Sequence, residues 1–127
     1  FNNVNNSLFC NYEQIRDFMN GAPKETGILL DLGHLQISCK FYELDAEKEL
    51  DKILDNYSHR IYEVHISEND SINDPHKPVK KNSWQIEAIK KIKNCSTEED
   101  IERVFCLEVR NETTINVKKS YEMLNLI

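Results

Sequence analysis

The chain has no apolar run approaching the roughly 20 residues that a membrane-crossing helix needs. Its opening, FNNVNNSLFC, is polar and has no basic stretch, so no secretory signal is expected there. It also has no methionine at position 1, and a fragment of a longer protein is the expectation that follows. No CxxC pair occurs among Cys10, Cys39, Cys95 and Cys106, which argues against a zinc knuckle. Cysteine usage of this kind points to the reducing cytoplasm, with Cys106 a small hydrophobe inside an apolar strand. Glycine fingerprints of the GxGxxG or Walker type are absent, which disfavours a nucleotide-binding doubly wound fold. Arginine is confined to Arg16, Arg60, Arg103 and Arg110, and the net charge is −6. Duplex DNA is therefore disfavoured as a partner.

The 127 residues suffice for one domain, and 30% charged with 39% hydrophobic residues describes a soluble globular chain. Lys77, Lys80, Lys81, Lys90, Lys91 and Lys93 form a local basic cluster. It reads first as a solvated loop and helix face, and second as a patch that meets an anion near the site.

Residues 1–6 read as the end of a strand. Asn11 caps a helix expected over Tyr12 to Asn20, with Ile15, Phe18 and Met19 as its stripe, and Gly21-Ala22-Pro23 stops it. A strand follows at 27–31, then a loop of mixed character at 35–44. Asp45 opens a helix over Ala46 to Tyr57, with Leu50, Ile53, Leu54 and Tyr57 on one face. A strand at 60–66 leads into a polar loop, 67–82, whose length suggests function. Ser83 caps a helix over Trp84 to Lys93, with Trp84, Ala88, Ile89 and Ile92 inward. The segment STEED, 96–100, leads into a strand at 103–108. A last helix over Thr114 to Leu126 uses Ile115, Val117, Tyr121, Leu124 and Met123. This alternation implies an α/β fold with a parallel sheet, built from about four βα units in a single domain, 1–127. A closed parallel barrel of the TIM type needs about 250 residues, so the expectation is half a barrel.

Three strands each deliver a chemical group where they end. GILLDLGH places Asp31, and the glycine turn expected after it leads to His34. YEVHI places His65, and the loop after it carries Asp74 and His76. VFCLE places Glu108. Carboxylates and imidazoles together suit a divalent metal, zinc, manganese, iron or cobalt. Each residue also has an ordinary reading: Asp31 as a helix cap, His65 as a hydrogen-bonded core residue, Asp74-Pro75 as a turn. The joint placement at successive strand ends favours a metal site.

These lines resemble the C-terminal half of the xylose isomerase-like barrel superfamily, which includes sugar isomerases, epimerases and abasic-site nucleases of the endonuclease IV type. LLDLGH resembles the strand-six motif, VHISEND the strand-seven line, DPH the D-x-H pair and CLEV the last strand. The resemblance implies that Asp31, His65 and Glu108 hold a central metal. It implies that His34, Asp74 and His76 hold a further one, or that His34 meets substrate. A strand-five Glu that such families use is not matched; FNNVNN stands there. Neither are two N-terminal histidines of the nuclease pattern, and KPVKKNS replaces a glycine-rich stretch.

The implied activity is that of a metal-dependent isomerase or epimerase acting on a sugar or sugar phosphate, with Glu108 and His34 catalytic. A metal-cluster phosphodiesterase is the alternative, and multinuclear iron oxygenase-like barrels are a third relative, although their strand-six line usually has Asn where His34 stands. An inactive half barrel that binds partners is the non-enzyme alternative. Half a barrel would either pair with a second copy or belong with a missing N-terminal half.

Overall fold

The computed structural model describes residues 11–95 and 101–125. The expected strand end at 1–6, Cys10 and the segment 96–100 lie outside the described residues.

Helix α1, Tyr12–Gly21, begins where the Asn11 side chain accepts from the Gln14 N–H at 3.0 Å. An unpaired N–H of its first turn, that of Tyr12, donates to Glu49 at 3.0 Å. Ile15 and Met19 are buried, whereas Phe18 faces outward. Strand β1, Ile28–Asp31, follows, and its last residue starts the next element. The Asp31 carboxylate accepts from the His34 N–H at 2.9 Å and so caps helix α2, Leu32–Phe41.

That helix corrects the expected loop at 35–44. Its buried residues, Leu32, Gly33, Leu35, Ile37, Ser38 and Cys39, surround the axis instead of lining one stripe. A helix buried on most sides has no 3.6-residue alternation to detect. It ends at Tyr42 and Glu43, the latter with φ 56.

Helix α3, Ala46–Tyr57, is the opposite case. Asp45 accepts from the N–H groups of Glu47 and Lys48, and Leu50, Ile53 and Leu54 turn inward. Glu49 is buried beside them, held by Tyr12 and by Lys52 at 2.6 Å. A short 3-10 turn, Ser58–Arg60, leads to strand β2, Ile61–Ile66. Helix α4, Trp84–Asn94, buries Gln85, Ile86, Ala88, Ile89 and Ile92, and the half-buried Trp84 packs against the same core. The side chain of Ser83, which precedes it, makes no capping bond, while its carbonyl accepts from the Glu87 N–H at 3.3 Å. Strand β3, Val104–Leu107, and helix α5, Thr114–Leu124, complete the order. On α5 Ser120 is buried and the expected Met123 and Leu124 pack partly buried against the core, whereas Ile115 and Tyr121, expected inward, are 66% and 60% exposed. A hydrogen bond sets that rotation, since Ser120 Oγ accepts from the Val79 N–H at 3.1 Å.

The three strands form an open parallel sheet in the order β1-β2-β3. This is an α/β fold with three described strands. Leu30, Val64 and Ile66 point to one face and join the core with Leu32, Leu35, Leu50, Ile53, Ile86 and Ile89. The other face carries Leu29 and Val104, 51% and 57% exposed. The register sets Asp31 against His65, and His65 against Cys106. The Glu108 N–H extends the ladder by donating to the Ile66 carbonyl at 3.0 Å. Asp31, His65 and Glu108 therefore arrive at one end of the open face. Among the described residues no helix is long and apolar enough to cross a membrane.

Candidate metal centre

Parallel pairing aligns strand ends, and the loops after them supply the rest of the site. Asp31, His65 and Glu108 each offer a donor atom, and these atoms lie within 4.8 Å of one another. His65 Nδ1 stands 3.4 Å from Glu108 Oε2.

The loop between β2 and α4 brings Asp74 and His76. It is closed on itself by a two-way backbone pair between Glu68 and Lys77, at 2.9 and 3.0 Å. The Asn69 amide donates to the Gly33 carbonyl at 2.9 Å, which ties the loop to the start of α2. Gly33 keeps this approach uncrowded: a Cβ there would lie 3.0 Å from Ser67 Oγ and 3.3 Å from Asp31 Oδ1. On the far side the Arg110 N–H donates to the His76 carbonyl at 3.0 Å, fastening the loop to the segment after β3. His76 itself adopts φ 47, the left-handed region that a side chain rarely occupies. Strain of this kind persists where the surroundings over-determine it, and it clusters at functional sites.

Asp74 Oδ2 is shared by two imidazoles, His34 Nε2 at 3.0 Å and His76 Nε2 at 2.8 Å. His76 Nδ1 is 3.8 Å from Glu108 Oε2, and His34 Nδ1 is 3.9 Å from Asp31 Oδ2. All six residues singled out in the sequence thus close into one ring: Asp31, His34, Asp74, His76, Glu108, His65. Two buried atoms of that ring, Asp74 Oδ1 and His76 Nδ1, have no hydrogen-bond partner. Buried polar atoms without partners are rare and call for a reason.

Asp31 does two jobs at once. Its Oδ1 caps α2, which is the ordinary reading, and its Oδ2 faces the ring. His34 is the most open member, its side chain 48% exposed, and His76 the most enclosed, at 6%. Burial disfavours the charged imidazole of His65, but Glu63, Glu108 and Asp31 outweigh it and raise its pKa above the ordinary 6.5. Carboxylates crowded in this way are stabilised by a cation, either protons on the histidines or a metal ion. The donor set of oxygens and imidazole nitrogens fits zinc, manganese, iron or cobalt. The central position would use Asp31, His65 and Glu108, whose donor atoms lie close enough together to share one ion.

Two further residues enter that no strand-end argument reveals. Glu63 Oε1 lies 2.9 Å from His65 Nε2, and Cys106 sits beside both on the same face. Cys106 is half-buried on this face, not a core hydrophobe as its apolar neighbours suggest. The signal was period two: residues two before His65 and two before Glu108 share their face.

Four lysines of the basic cluster are engaged away from the ring. Lys77 pairs with Glu112, Lys90 with Glu87, and Lys91 with Glu47 and Asp51. Lys93 donates to the Leu124 carbonyl and lies over the Phe105 ring. The solvated-face reading accounts for these four.

No family model, curated protein or solved structure matches this chain.

Proposed function

We propose that the chain is the metal-binding part of a divalent-metal-dependent enzyme of the sugar isomerase or epimerase type, built as the C-terminal half of a xylose isomerase-like barrel. The observation that carries this reading is the convergence of Asp31, His65 and Glu108 at aligned ends of three parallel strands. In parallel barrels, catalytic groups gather at that end of the strands. The exposed Leu29 and Val104 on the same face support the half-barrel reading, because a closed barrel would cover them.

Asp31, His65 and Glu108 would hold the metal, which when bound supplies Lewis acidity to a substrate carbonyl and acidifies the adjacent C–H. His34, the exposed member of the ring, would meet a sugar hydroxyl. Asp74 accepts from His34 and would keep its imidazole oriented. Glu108 would take or return the proton at carbon, sharing that work with a second carboxylate from the remainder of the barrel. The substrate is a small sugar or sugar phosphate. The negative charge and the pairing of the lysines within the chain favour that over a nucleic acid.

A second reading has its own observation. Asp74 Oδ2 gathers His34 Nε2 at 3.0 Å and His76 Nε2 at 2.8 Å, and a further metal would draw on those three residues. Two or three metals would favour a phosphodiesterase of the endonuclease IV type.

The test is the purified protein supplied with zinc, manganese, iron or cobalt and assayed on aldose, ketose and phosphodiester panels, with metal content measured in parallel. Isomerisation with one metal per chain supports the first reading. Phosphodiester cleavage with more than one supports the second. Stable binding of no metal under any condition contradicts both and leaves a binding domain.

A further inference from the structure

The open face of the sheet carries a second donor set that shares only His65 with the central position. Glu63 and His65 stand two residues apart on β2, and Cys106 is the cross-strand partner of His65 on β3. One donor atom from each lies within 4.8 Å of the other two. We propose that Glu63, His65 and Cys106 form a second metal position, suited to a thiophilic divalent ion of the zinc class, beside the Asp31–His65–Glu108 position.

Either position can draw on His65, whose two ring nitrogens face different partners; a neutral imidazole has one free lone pair and serves one position at a time, and filling both would also release the ring N–H proton to give a bridging imidazolate. Nδ1 is 3.4 Å from Glu108, and Nε2 is 2.9 Å from Glu63. The two positions therefore meet His65 on different edges of the ring. The chemistry of the sets differs. Oxygen-rich Asp31–His65–Glu108 tolerates hard ions such as manganese, whereas a thiolate with an imidazole and one carboxylate selects zinc, cobalt or iron. Three protein ligands leave an open coordination position, the pattern of catalytic rather than closed structural zinc. Glu63 is 42% exposed, so the position opens to solvent. Binding forms a metal–sulfur bond at Cys106 and releases the thiol proton to solvent.

Glu63 has a simpler role available, that of orienting His65 as a ligand for the central metal. In that role Cys106 has no part, so the thiol decides between the two. The position does not depend on the isomerase reading.

Cobalt(II) titrated into the full chain and followed by absorbance gives the test. A near-ultraviolet thiolate-to-cobalt band is expected on the wild type, lost in Cys106→Ser and retained in the double variant Asp31→Asn, Glu108→Gln. Absence of the band at saturation, its persistence in Cys106→Ser, or its loss in the double variant would each overturn the proposal. A measurement on the wild type alone guards against a misfolded variant. Excess zinc should abolish alkylation of Cys106 by iodoacetamide, read by peptide mass spectrometry; undiminished alkylation would overturn the position as well.

Discussion

The two faces of the β1–β2–β3 sheet use the same strands for opposite purposes. On the covered face, Leu30, Val64 and Ile66 are at most 3% exposed and sit among the side chains of the helices. On the open face, the alternate residues are Leu29, Asp31, Glu63, His65, Val104 and Cys106, exposed or half-buried. Burial of apolar area makes the first face the source of stability. The second face buries little apolar area and concentrates carboxylates, imidazoles and a thiol at short range. Such a face contributes little to folding, and a metal bound there would stabilise the fold.

Four substitutions or conditions test that division. The largest effect is expected on the covered face. Ile66→Ala, at a residue 1% exposed, should cost about 2–5 kcal/mol in chemical denaturation, since deleting buried methyl groups leaves a cavity.

Asp31→Ala comes next, because Asp31 belongs to both stories. Loss of its cap on α2 should cost about 1 kcal/mol in metal-free protein. Asp31→Asn keeps a capping acceptor and should cost less than the alanine variant. Both should lose metal binding at the central position. A stability loss equal in the two variants would show that the cap is not the source.

A smaller effect concerns pH. His65 has its pKa raised in the folded chain by Glu63, Glu108 and Asp31, against the pull of burial. A raised folded pKa means that the protonated imidazole stabilises the metal-free fold. That contribution is fully present below the ordinary pKa of 6.5 and disappears as pH rises through the raised value. Metal should act in the reverse direction, because it requires the neutral imidazole and competes with the proton. Thermal melts with and without metal, across this window, should therefore diverge as pH rises. His65→Ala should remove both dependences.

Leu29→Ala should have the smallest effect, within about 0.5 kcal/mol, as expected for a surface substitution in the chain taken alone. A loss comparable to that of Ile66→Ala would mean that the open face is covered in solution.

Much of this arrangement was legible in the residues. Helix α3 announces itself because Leu50, Ile53 and Leu54 recur at helical spacing after an Asp45 cap. The six ring residues are readable because strand ends followed by Asp or His are few in a chain with four histidines. Helix α2 is not readable, because burial on most sides erases its periodicity. The rotation of α5 follows from the bond between Ser120 and Val79, a partner 41 residues away that no local pattern records. Glu63 and Cys106 escape notice for a different reason. They sit inside strands, where Glu looks like a solvent-facing residue and Cys like a hydrophobe, and only the pairing register unites them.

The central claim is that the ends of three strands build a metal position around His65. Metal content per chain, measured by elemental analysis after saturation with zinc and dialysis, tests it most directly in wild type and His65→Ala. Retention of zinc by the wild type and its loss from a folded His65→Ala variant is the predicted result. Equal zinc in both proteins, or none in either, would contradict the account.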